Sequence, residues 1–527
     1  MQEEEVKDRR IKEVLIVGGG TAGWLSACHL AGSLKSNSPD GVKVTLVESA
    51  NIPTIGVGEG TVPAIRQTLA HLGIRETDFI RECDVTFKQS IKFVDWVHDP
   101  ASKGTNAYHH VFDYPERHMV DPTPYWLMGQ AGDASFVDAV SVQGKICEAG
   151  FGPKQMVHAE YDGLVNYAYH LDAAKFAAFL TKHATEKLGV QHVLANVTDV
   201  KLSEDGDIRA VQTDDAGELS ADLFIDCTGF AALIIEQKLG VGFIPKDDVL
   251  FVDTALAAQV PYLSADAPIP SYTIATAKEA GWIWDIGLSA RRGTGYVYSA
   301  KHTSHERAEE VLREYLRASV GGLADEVTCR RIPMRIGYRE KYWVKNCVAI
   351  GLSQGFVEPL EATGILVYDA TARMLAEQFP PTRGAMDVIA RRFNARVRQA
   401  WDRVIDFIKL HYCLSKREDS AFWLDNRREE TIPESLRENL QVWRHQLPSP
   451  YDFSSKLSVF NLENYLYVLY GMGFETQMDA ISYRYQDADV AQSVFRQMSA
   501  AAEQVMRELP KHRLLLDRIK EYGLSEI

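Results

Sequence analysis

The sequence predicts an α/β fold in which a parallel sheet packs into a mainly helical module. Near the N-terminus, a strand, a glycine-rich turn, a helix and a second strand follow one another. Two later apolar runs, at 221–230 and 346–356, are typical of buried parallel strands. From about residue 363 onward the chain is predicted to be mainly helical, since apolar and charged residues recur at helical spacing from Arg391 to Leu410.

The first β-α-β unit carries the motif Gly18-x-Gly20-x-x-Gly23. Gly18 allows a tight turn, Gly20 lets a pyrophosphate approach the backbone, and Gly23 lets the helix pack close to the strand. The N-terminus of that helix offers free N–H groups to phosphates. Glu48, at the end of the second strand, is placed to accept ribose hydroxyls. The unit therefore predicts a Rossmann-like dinucleotide site.

Composition excludes some classes of partner. The chain has 527 residues, a net charge of -15 and a pI near 5.5, which argues against binding nucleic acid or an anionic membrane by charge attraction. The N-terminus is highly charged, and no apolar run approaches the roughly 18 residues of a membrane helix. The seven cysteines form no C-x-x-C pair, so no zinc site or other metal site is predicted. A cytoplasmic location is expected.

The glycine motif alone does not distinguish FAD from NAD. It lies near the N-terminus, and no second motif of this kind follows a strand. An enzyme that binds both FAD and NADPH through such folds usually has two. The chain is therefore interpreted as a flavin protein that obtains its reducing equivalents elsewhere.

Further motifs suggest a family. They are IPTIGVGEGTVP (52–63), FKQSIKF (87–93), GWIWDIGL (281–288) and GFVEPLEATGI (355–365). With GGGTAGW near the N-terminus, their order and spacing resemble the flavin-dependent tryptophan halogenase family. The resemblance extends to AFWLDNR (421–427) and onward to the C-terminus.

The resemblance implies an FAD-binding module similar to GR2-type flavin monooxygenases, with a mainly helical substrate module interleaved. The first module would span 1–380, with inserted substrate-contacting segments at about 85–160 and 240–330, and the second 381–527. It also implies reduced FAD from a separate NAD(P)H-dependent flavin reductase, O2, and chloride or bromide. Hypohalous acid formed at the flavin would pass through a tunnel to a small, electron-rich aromatic ring. A homodimer is also expected.

The resemblance also assigns roles to residues. Lys88 would hold or capture the halogen, a role that needs burial and a lowered pKa, and Glu361 would polarise hypohalous acid or accept the ring proton. Lys92 is interpreted as structural. Glu358 is the alternative candidate for the role assigned to Glu361. The remaining assignments are Gly18, Gly20, Thr21, Ala22, Gly23, Glu48, Gly58 and Glu59 for the cofactor, Thr363 and Gly364 for the halide, His110, Phe112, Val459 and Phe460 for the substrate, and Trp282 and Trp284 for the tunnel.

Two positions depart from the family pattern. The tryptophan motif usually closes with Ile-Pro, whereas here Gly287 follows Ile286, which predicts a looser strand end. The stretch 447–461 is shorter than in relatives that grip free tryptophan, and it offers no equivalent of their paired tyrosines and glutamate. An open or remodelled pocket for indole, a substituted indole or phenol, or a larger molecule is therefore a hypothesis.

Alternatives remain at this stage. Trp282 and Trp284 are also what the inner face of any buried strand would contain, because residues two apart point the same way. A flavin monooxygenase would hydroxylate the same kind of ring, and a non-catalytic FAD-binding redox protein would need no catalytic residues. Coexistence of Lys88, GWIW and EPLEATGI favours the halogenase.

Overall fold

A six-stranded sheet carries the glycine motif. The computed structural model describes residues 9–52, 58–102, 106–117, 119–453 and 459–526. The spatial order of this sheet is Trp343–Val344, Cys347–Ala349, Leu223–Asp226, Glu13–Val17, Lys43–Glu48 and Gln191–Leu194. Its strands pair in parallel except for the antiparallel edge strand Trp343–Val344. The predicted β-α-β unit and both later buried strands are confirmed.

A seven-stranded sheet lies beside it and contains GWIWDIG. Its spatial order is Cys329–Pro333, Thr254–Pro261, Arg291–Tyr298, Gly281–Gly287, Tyr272–Lys278, Ser90–Val94 and Ala107–Val111. The pairing is antiparallel except between Tyr272–Lys278 and Ser90–Val94. Strand Gly281–Gly287 is buried at every residue, so the prediction of a buried strand that contains Trp282 and Trp284 is confirmed.

A three-stranded antiparallel sheet positions Lys88. Strand Ala168–Asp172 lies in its middle, between Gly58–Gly60 and Thr86–Lys88. Two further three-stranded sheets consist of Val197–Leu202, Ile208–Thr213 and Glu218–Ser220, and of Phe243–Pro245, Gly337–Arg339 and Gly355–Phe356. Glu59 and Lys88 therefore lie on the two outer strands of one small sheet, on either side of the middle strand.

Helices cover the sheets and form most of the C-terminal part. The α-helices of the described residues are Thr21–Leu34, Ala64–His71, Glu76–Glu82, Thr123–Leu127, Phe136–Val140, Gln143–Glu148, Ala173–Lys187, His305–Val320, Thr363–Glu377, Arg383–Cys413, Ala421–Asn426, Glu434–Trp443, Leu462–Gly471, Ala488–Glu508 and His512–Tyr522. Leu233–Lys238 is a π-helix. The predicted helical character after residue 363 is confirmed. None of these helices is long and apolar enough to cross a membrane.

Two helices that begin at the site are tied together. The helix Thr21–Leu34 packs against Thr363–Glu377. The buried His29 contacts Asp369 from Nε2 to Oδ1 at 2.7 Å, and Thr68 donates to the other oxygen of Asp369 at 2.6 Å. The contacts lie inside the protein, so the two N-termini are held in fixed relation.

The looser strand end predicted at Gly287 is wrong. Gly287 is buried and pairs with Arg292 across the hairpin, and its carbonyl accepts a hydrogen bond from Thr86 Oγ1 at 2.6 Å. A Cβ added at this position would lie 2.8 Å from Ile269 Cγ2. The side chain of Ile269 fills the space that a Cβ at residue 287 would occupy, so glycine fits this position. The irregular stretch 447–461 includes a 3-10 turn at Pro450–Asp452, while 454–458, like 53–57 of the IPTIGVGEGTVP motif, lies outside the described residues.

Candidate active site

A large cavity joins the glycine turn to Lys88. Its volume is about 520 Å³, and its walls come from the six-stranded sheet, the strand Gly281–Gly287 and the start of helix Thr363–Glu377. The predicted site residues that line it are Gly18, Gly20, Thr21, Ala22, Glu48, Gly58, Glu59, Lys88, Trp282, Trp284 and Gly364. One space therefore connects residues predicted for the cofactor, the halide, the tunnel and the halogen.

The glycine turn has the geometry that a pyrophosphate requires. Gly18 has a φ of 110°, and a Cβ there would overlap the carbonyl oxygen of Cys227. A Cβ on Gly23 would overlap the carbonyl oxygen of Gly18, whereas a Cβ on Gly20 would meet no atom within 4 Å. Gly20 leaves this space at the start of a 14-residue helix whose first N–H groups lack partners within the helix. The turn fits the diphosphate of a dinucleotide.

Two carboxylates lie along the predicted cofactor path. Glu48 ends its strand in the cavity wall and accepts a hydrogen bond from His192 Nε2 at 2.8 Å. Glu59 lies in strand Gly58–Gly60, where burial, and then the charge of Asp172, raise its pKa to about 7. Glu48 is therefore placed for a ribose, and Glu59 is poised to change charge near neutral pH.

Lys88 is fully buried at the far end of the cavity. Its Nζ donates to the carbonyl oxygen of Thr61 at 3.1 Å and lies 5.2 Å from the centre of the Phe112 ring. Burial lowers the pKa of Lys88 to about 7, although the negative charge of Glu361 opposes this change. A Cβ on Gly60 would lie 3.3 Å from Nζ, so that glycine makes room for the amine. Lys88 is thus an amine with access to its neutral form.

Glu361 lies between two histidines. His110 Nδ1 is 3.0 and 2.9 Å from its two oxygens, and His411 Nε2 is 2.9 Å from Oε1. Burial acts to raise the pKa of Glu361, but His110 and His411 outweigh it and lower the pKa. The buried carboxylate is therefore held as an anion, within electrostatic range of Lys88.

The predicted halide turn begins a helix. Ala362 has a φ of 56°, and this left-handed residue turns the chain into helix Thr363–Glu377. Thr363 is 1% exposed, and its Oγ1 has no hydrogen-bond partner among the described residues. Gly364 lines the cavity. Helix N–H groups and a hydroxyl without a partner suit an anion at this end of the cavity.

Trp282 and Trp284 form part of the cavity wall. Trp282 Nε1 donates to Glu358 Oε2 at 2.6 Å, and Trp284 packs so closely on Gly295 that a Cβ there would overlap the indole. Both indoles are buried, at 1% and 7% exposure. Glu358, the rival of Glu361, therefore contacts a tryptophan, whereas Glu361 interacts with Lys88.

Of the residues predicted for the substrate, Phe112 lies next to Lys88, and none of the four lines the cavity. Phe112 is anchored by its backbone, which accepts from Asn166 Nδ2 and donates to Gln143 Oε1, both at 2.9 Å. His110 contacts Asn464 Nδ2 through Nε2 at 3.0 Å. Phe460 stacks on Phe407 with ring centres 4.0 Å apart.

Val459 is partly buried against the same core. The four predicted substrate residues come from two chain regions about 350 residues apart. These regions meet where His110 Nε2 contacts Asn464 Nδ2. Lys92, interpreted as structural, pairs with Glu148 at 2.5 Å.

Sequence reasoning missed three residues of the site. They are Thr61, which accepts from Lys88, and His411 and Asn464, which complete the contacts around Glu361 and His110. His411 occupies a buried position near the end of helix Arg383–Cys413, where a histidine in sequence resembles any core residue. Only tertiary contact reveals its partner.

Comparison with known proteins identifies the family. The family model described as tryptophan halogenase matches residues 13–486. This chain belongs to the tryptophan halogenase family. The tryptophan 6-halogenase SttH of Streptomyces toxytricini is 38% identical over 489 residues, covering 88% of this chain and 90% of that protein. The tryptophan 7-halogenase RebH of Lentzea aerocolonigenes is 32% identical, and the match covers 95% of this chain and 97% of that protein.

Solved structures agree with this assignment. A tryptophan halogenase from Shewanella frigidimarina matches with a TM-score of 0.95 and 43% identity, covering 99% of this chain and 100% of that one. BrvH, a flavin-dependent halogenase from Brevundimonas, matches with a TM-score of 0.84 and 34% identity, covering 96% and 99%. The protein is therefore a flavin-dependent halogenase of aromatic rings, an oxidoreductase with an FAD-binding fold and a helical substrate module.

Proposed function

We propose that this halogenase uses Lys88 to carry the halogen and Glu361 to accept the proton of an indole-type ring. The observation that carries the proposal is the single cavity that runs from Gly18 past Trp282 and Trp284 to Lys88. Buried indoles along this path restrict passage to a small oxidant. The ring can then be held at a distance from the cofactor, in contact with Lys88.

The first half of the reaction belongs to the nucleotide end. When bound, reduced FAD would supply two electrons to O2, and O2 would take two more from the halide, which gives hypohalous acid and water. Gly18, Gly20 and Gly23 would form the turn for the diphosphate of FAD, and Glu48 would accept from its ribose. The hydroxyl of Thr363 and the N–H groups that begin its helix hold the halide. Thr21, Ala22, Gly58 and Glu59 complete the cavity wall around the cofactor.

The second half takes place at Lys88. Its neutral amine is accessible near neutral pH because burial lowers the pKa to about 7, so it binds or captures the electrophilic halogen. The ring attacks the halogen, and the halogen replaces a ring hydrogen. Glu361, held as an anion, accepts that proton. His110 and Phe112 position the ring beside the amine.

A halide-dependent assay tests this proposal. The protein is supplied with FAD, a flavin reductase, NADH, O2 and an indole, with and without bromide. We expect a product whose mass increases by one bromine only when bromide is present. Lys88→Met should abolish this product while FAD binding is retained, and Lys92→Met, from the same region, should retain activity. An oxygenated product formed without halide would instead indicate a monooxygenase. If no ring from a broad aromatic panel were converted, the protein would be a non-catalytic redox protein.

We also propose indole or a substituted indole, rather than free tryptophan, as the preferred substrate. Two tryptophan 6- and 7-halogenases are among the relatives, but the stretch 447–461 has no equivalent of the residues with which such enzymes grip the amino acid. Val459 and Phe460 present apolar surface there, and Phe460 stacks on Phe407. An ammonium and a carboxylate would be desolvated against Val459 and Phe460, whose side chains offer neither of them a hydrogen-bond partner.

Competition between the two substrates tests the preference. Indole and L-tryptophan are offered together at equal concentration, and the ratio of halogenated products gives the ratio of kcat/KM. We expect indole to be favoured at least about tenfold, which corresponds to about 1.4 kcal/mol. Efficient halogenation of L-tryptophan at one ring position would reject this part of the proposal. The separate reductase, the choice between chloride and bromide, and the homodimer stay predictions.

A further inference from the structure

The hydrogen bonds around Glu361 determine where the protons of its two histidines lie. Asn464 Oδ1 accepts from the backbone N–H of Asn461 at 2.8 Å, which fixes the orientation of the amide. Asn464 Nδ2 therefore faces His110 Nε2 at 3.0 Å and donates to it. Because Nε2 is the acceptor, the proton of a neutral His110 is on Nδ1, and it is donated to Glu361.

The same reasoning gives a different result for His411. Its Nδ1 lies 2.8 Å from the carbonyl oxygen of Phe407, which can only accept, so Nδ1 carries a proton. Its Nε2 lies 2.9 Å from Glu361 Oε1. Two lone pairs would face each other there if His411 were neutral and Glu361 ionised. One further proton must therefore lie between Glu361 and His411.

We infer that His411 holds this proton in the resting enzyme, as an imidazolium that keeps Glu361 ionised. His110 Nδ1 lies 3.0 and 2.9 Å from the two Glu361 oxygens, which suits a delocalised carboxylate better than a protonated acid. Both partners are almost fully buried, with side-chain exposures of 0% for His411 and 2% for Glu361, so an unpaired anion would be strongly disfavoured. His411 is not among the residues that line the cavity and contacts Glu361 instead, so it is a positioning residue.

The inference rests on the proposed role of Glu361 and makes its proton balance explicit. The neutral amine of Lys88 takes the halogen from hypohalous acid, and one amine proton leaves with the hydroxide as water. When the ring attacks the halogen, the nitrogen–halogen bond breaks, the C–H bonding pair returns to the ring, and Glu361 takes the ring proton. That proton then restores the neutral amine of Lys88, so Glu361 and His411 return to their starting state. Lys88 and Tyr108 are the other titratable groups that interact electrostatically with Glu361.

The inference also bears on Lys88. The negative charge of Glu361 raises the pKa of that amine, against the larger effect of burial. A positive charge on His411 offsets Glu361, so it favours the neutral amine that captures the halogen. On the same helix, Lys409 interacts electrostatically with Cys413 and Glu358, and Tyr412 donates to Glu358.

Nuclear magnetic resonance of the histidine rings tests the inference without cofactor or substrate. The full chain is labelled with 15N-histidine, and His411 is assigned with a His411→Gln variant. We expect both ring nitrogens of His411 to carry a proton in the resting enzyme. In Glu361→Gln, the amide donates to Nε2 and His411 should become neutral. A His411 that is neutral in the unmodified protein at every pH overturns the inference.

The pH dependence of halogenation gives a second test. Loss of the cation in His411→Gln leaves the charge of Glu361 less offset, so the pKa of Lys88 should rise and the acidic limb of the rate should shift to higher pH by about one unit. A purely structural role would lower the rate without moving the limb, and that result overturns the positioning role. His29→Gln removes a similar buried histidine–carboxylate pair, with Asp369, and should leave the limb in place. Absence of any halogenation by the unmodified protein would reject the proposed function alone, since the resonance measurement is independent of it.

Discussion

Trp282 donates its indole N–H to Glu358, with 2.6 Å between Nε1 and Oε2. Tyr412 donates its hydroxyl to the same oxygen, also at 2.6 Å. Glu358 is fully buried, and its other oxygen has no partner among the described residues. A carboxylate that sequence alone presents as a rival catalytic acid or base is thus the anchor of a tryptophan on the cavity wall.

Replacing this anchor should loosen Trp282. In Glu358→Leu, the N–H of Trp282 and the O–H of Tyr412 lose their acceptor, and each such loss costs about 1–3 kcal/mol. We expect a lower Tm and a larger fraction of oxygenated, non-halogenated product, because a displaced indole no longer restricts the passage. Glu358→Gln keeps an acceptor oxygen and serves as the matched control. Equal Tm and equal product ratios in the two variants would contradict the anchoring role.

Glu358 should also make stability depend on pH. Burial, the largest effect, raises its pKa from 4.5 to about 7, despite hydrogen bonds from Tyr412 and Trp282. A raised pKa means that the folded protein binds the proton more tightly than the unfolded chain. This contribution to stability is therefore complete below the unfolded value and is lost as pH rises through about 7. The Glu358→Gln side chain cannot ionise. The Tm of this variant minus the Tm of the unmodified protein should therefore increase between about pH 5 and about pH 8.

The pH dependence of halogenation should report Lys88. Since the neutral amine captures the halogen and its pKa is lowered to about 7, we expect the rate to rise as pH increases through about 7. Glu59 provides the necessary control, because its pKa is raised to a similar value and it lines the same cavity. Glu59→Gln should leave the midpoint of the rise unchanged. A midpoint that disappears in this variant would assign the titration to Glu59 instead.

The hydroxyl of Thr363 should contribute to halide binding. Thr363→Val retains the shape of the side chain but removes an Oγ1 that has no partner among the described residues. We expect the KM for bromide to rise about tenfold, since one hydrogen bond to a charged group contributes about 1.5–3 kcal/mol. FAD binding, measured by quenching of flavin fluorescence, should not change. Thr371→Val is the matched control, because that hydroxyl bonds within its own helix to Val367.

Features encoded over short stretches of sequence could be predicted, and features that depend on distant contacts could not. The glycine turn and Glu48 follow from a strand–turn–helix–strand pattern within 36 residues, Glu13 to Glu48. Trp282 and Trp284 follow from alternation along one strand. In contrast, Trp282 meets Glu358 across 76 positions, and His110 meets Glu361 across 251. Residue type and local spacing contain no information about such pairs.

At Gly287, local sequence predicts a feature that the distant contacts of the folded chain rule out. The packing around this glycine also gives a prediction. A glycine at this position predicts a loose strand end, yet an added Cβ would lie 2.8 Å from Ile269 Cγ2 and 3.1 Å from the hydroxyl of Tyr262. That hydroxyl donates to the carbonyl oxygen of Leu288 at 2.9 Å and resists displacement. We therefore expect Gly287→Ala to lower the free energy of unfolding by about 1–3 kcal/mol through overpacking.

A double-mutant cycle separates overpacking from a change in backbone freedom. Ile269→Ala removes the methyl group that the new Cβ meets, so the cost of Gly287→Ala should become smaller in that background. Gly32→Ala, where an added Cβ meets no atom within 4 Å, is the control for replacing glycine in open space and should not destabilise the protein. An equal cost of Gly287→Ala in the two backgrounds would show that the contact with Ile269 does not cause the destabilisation.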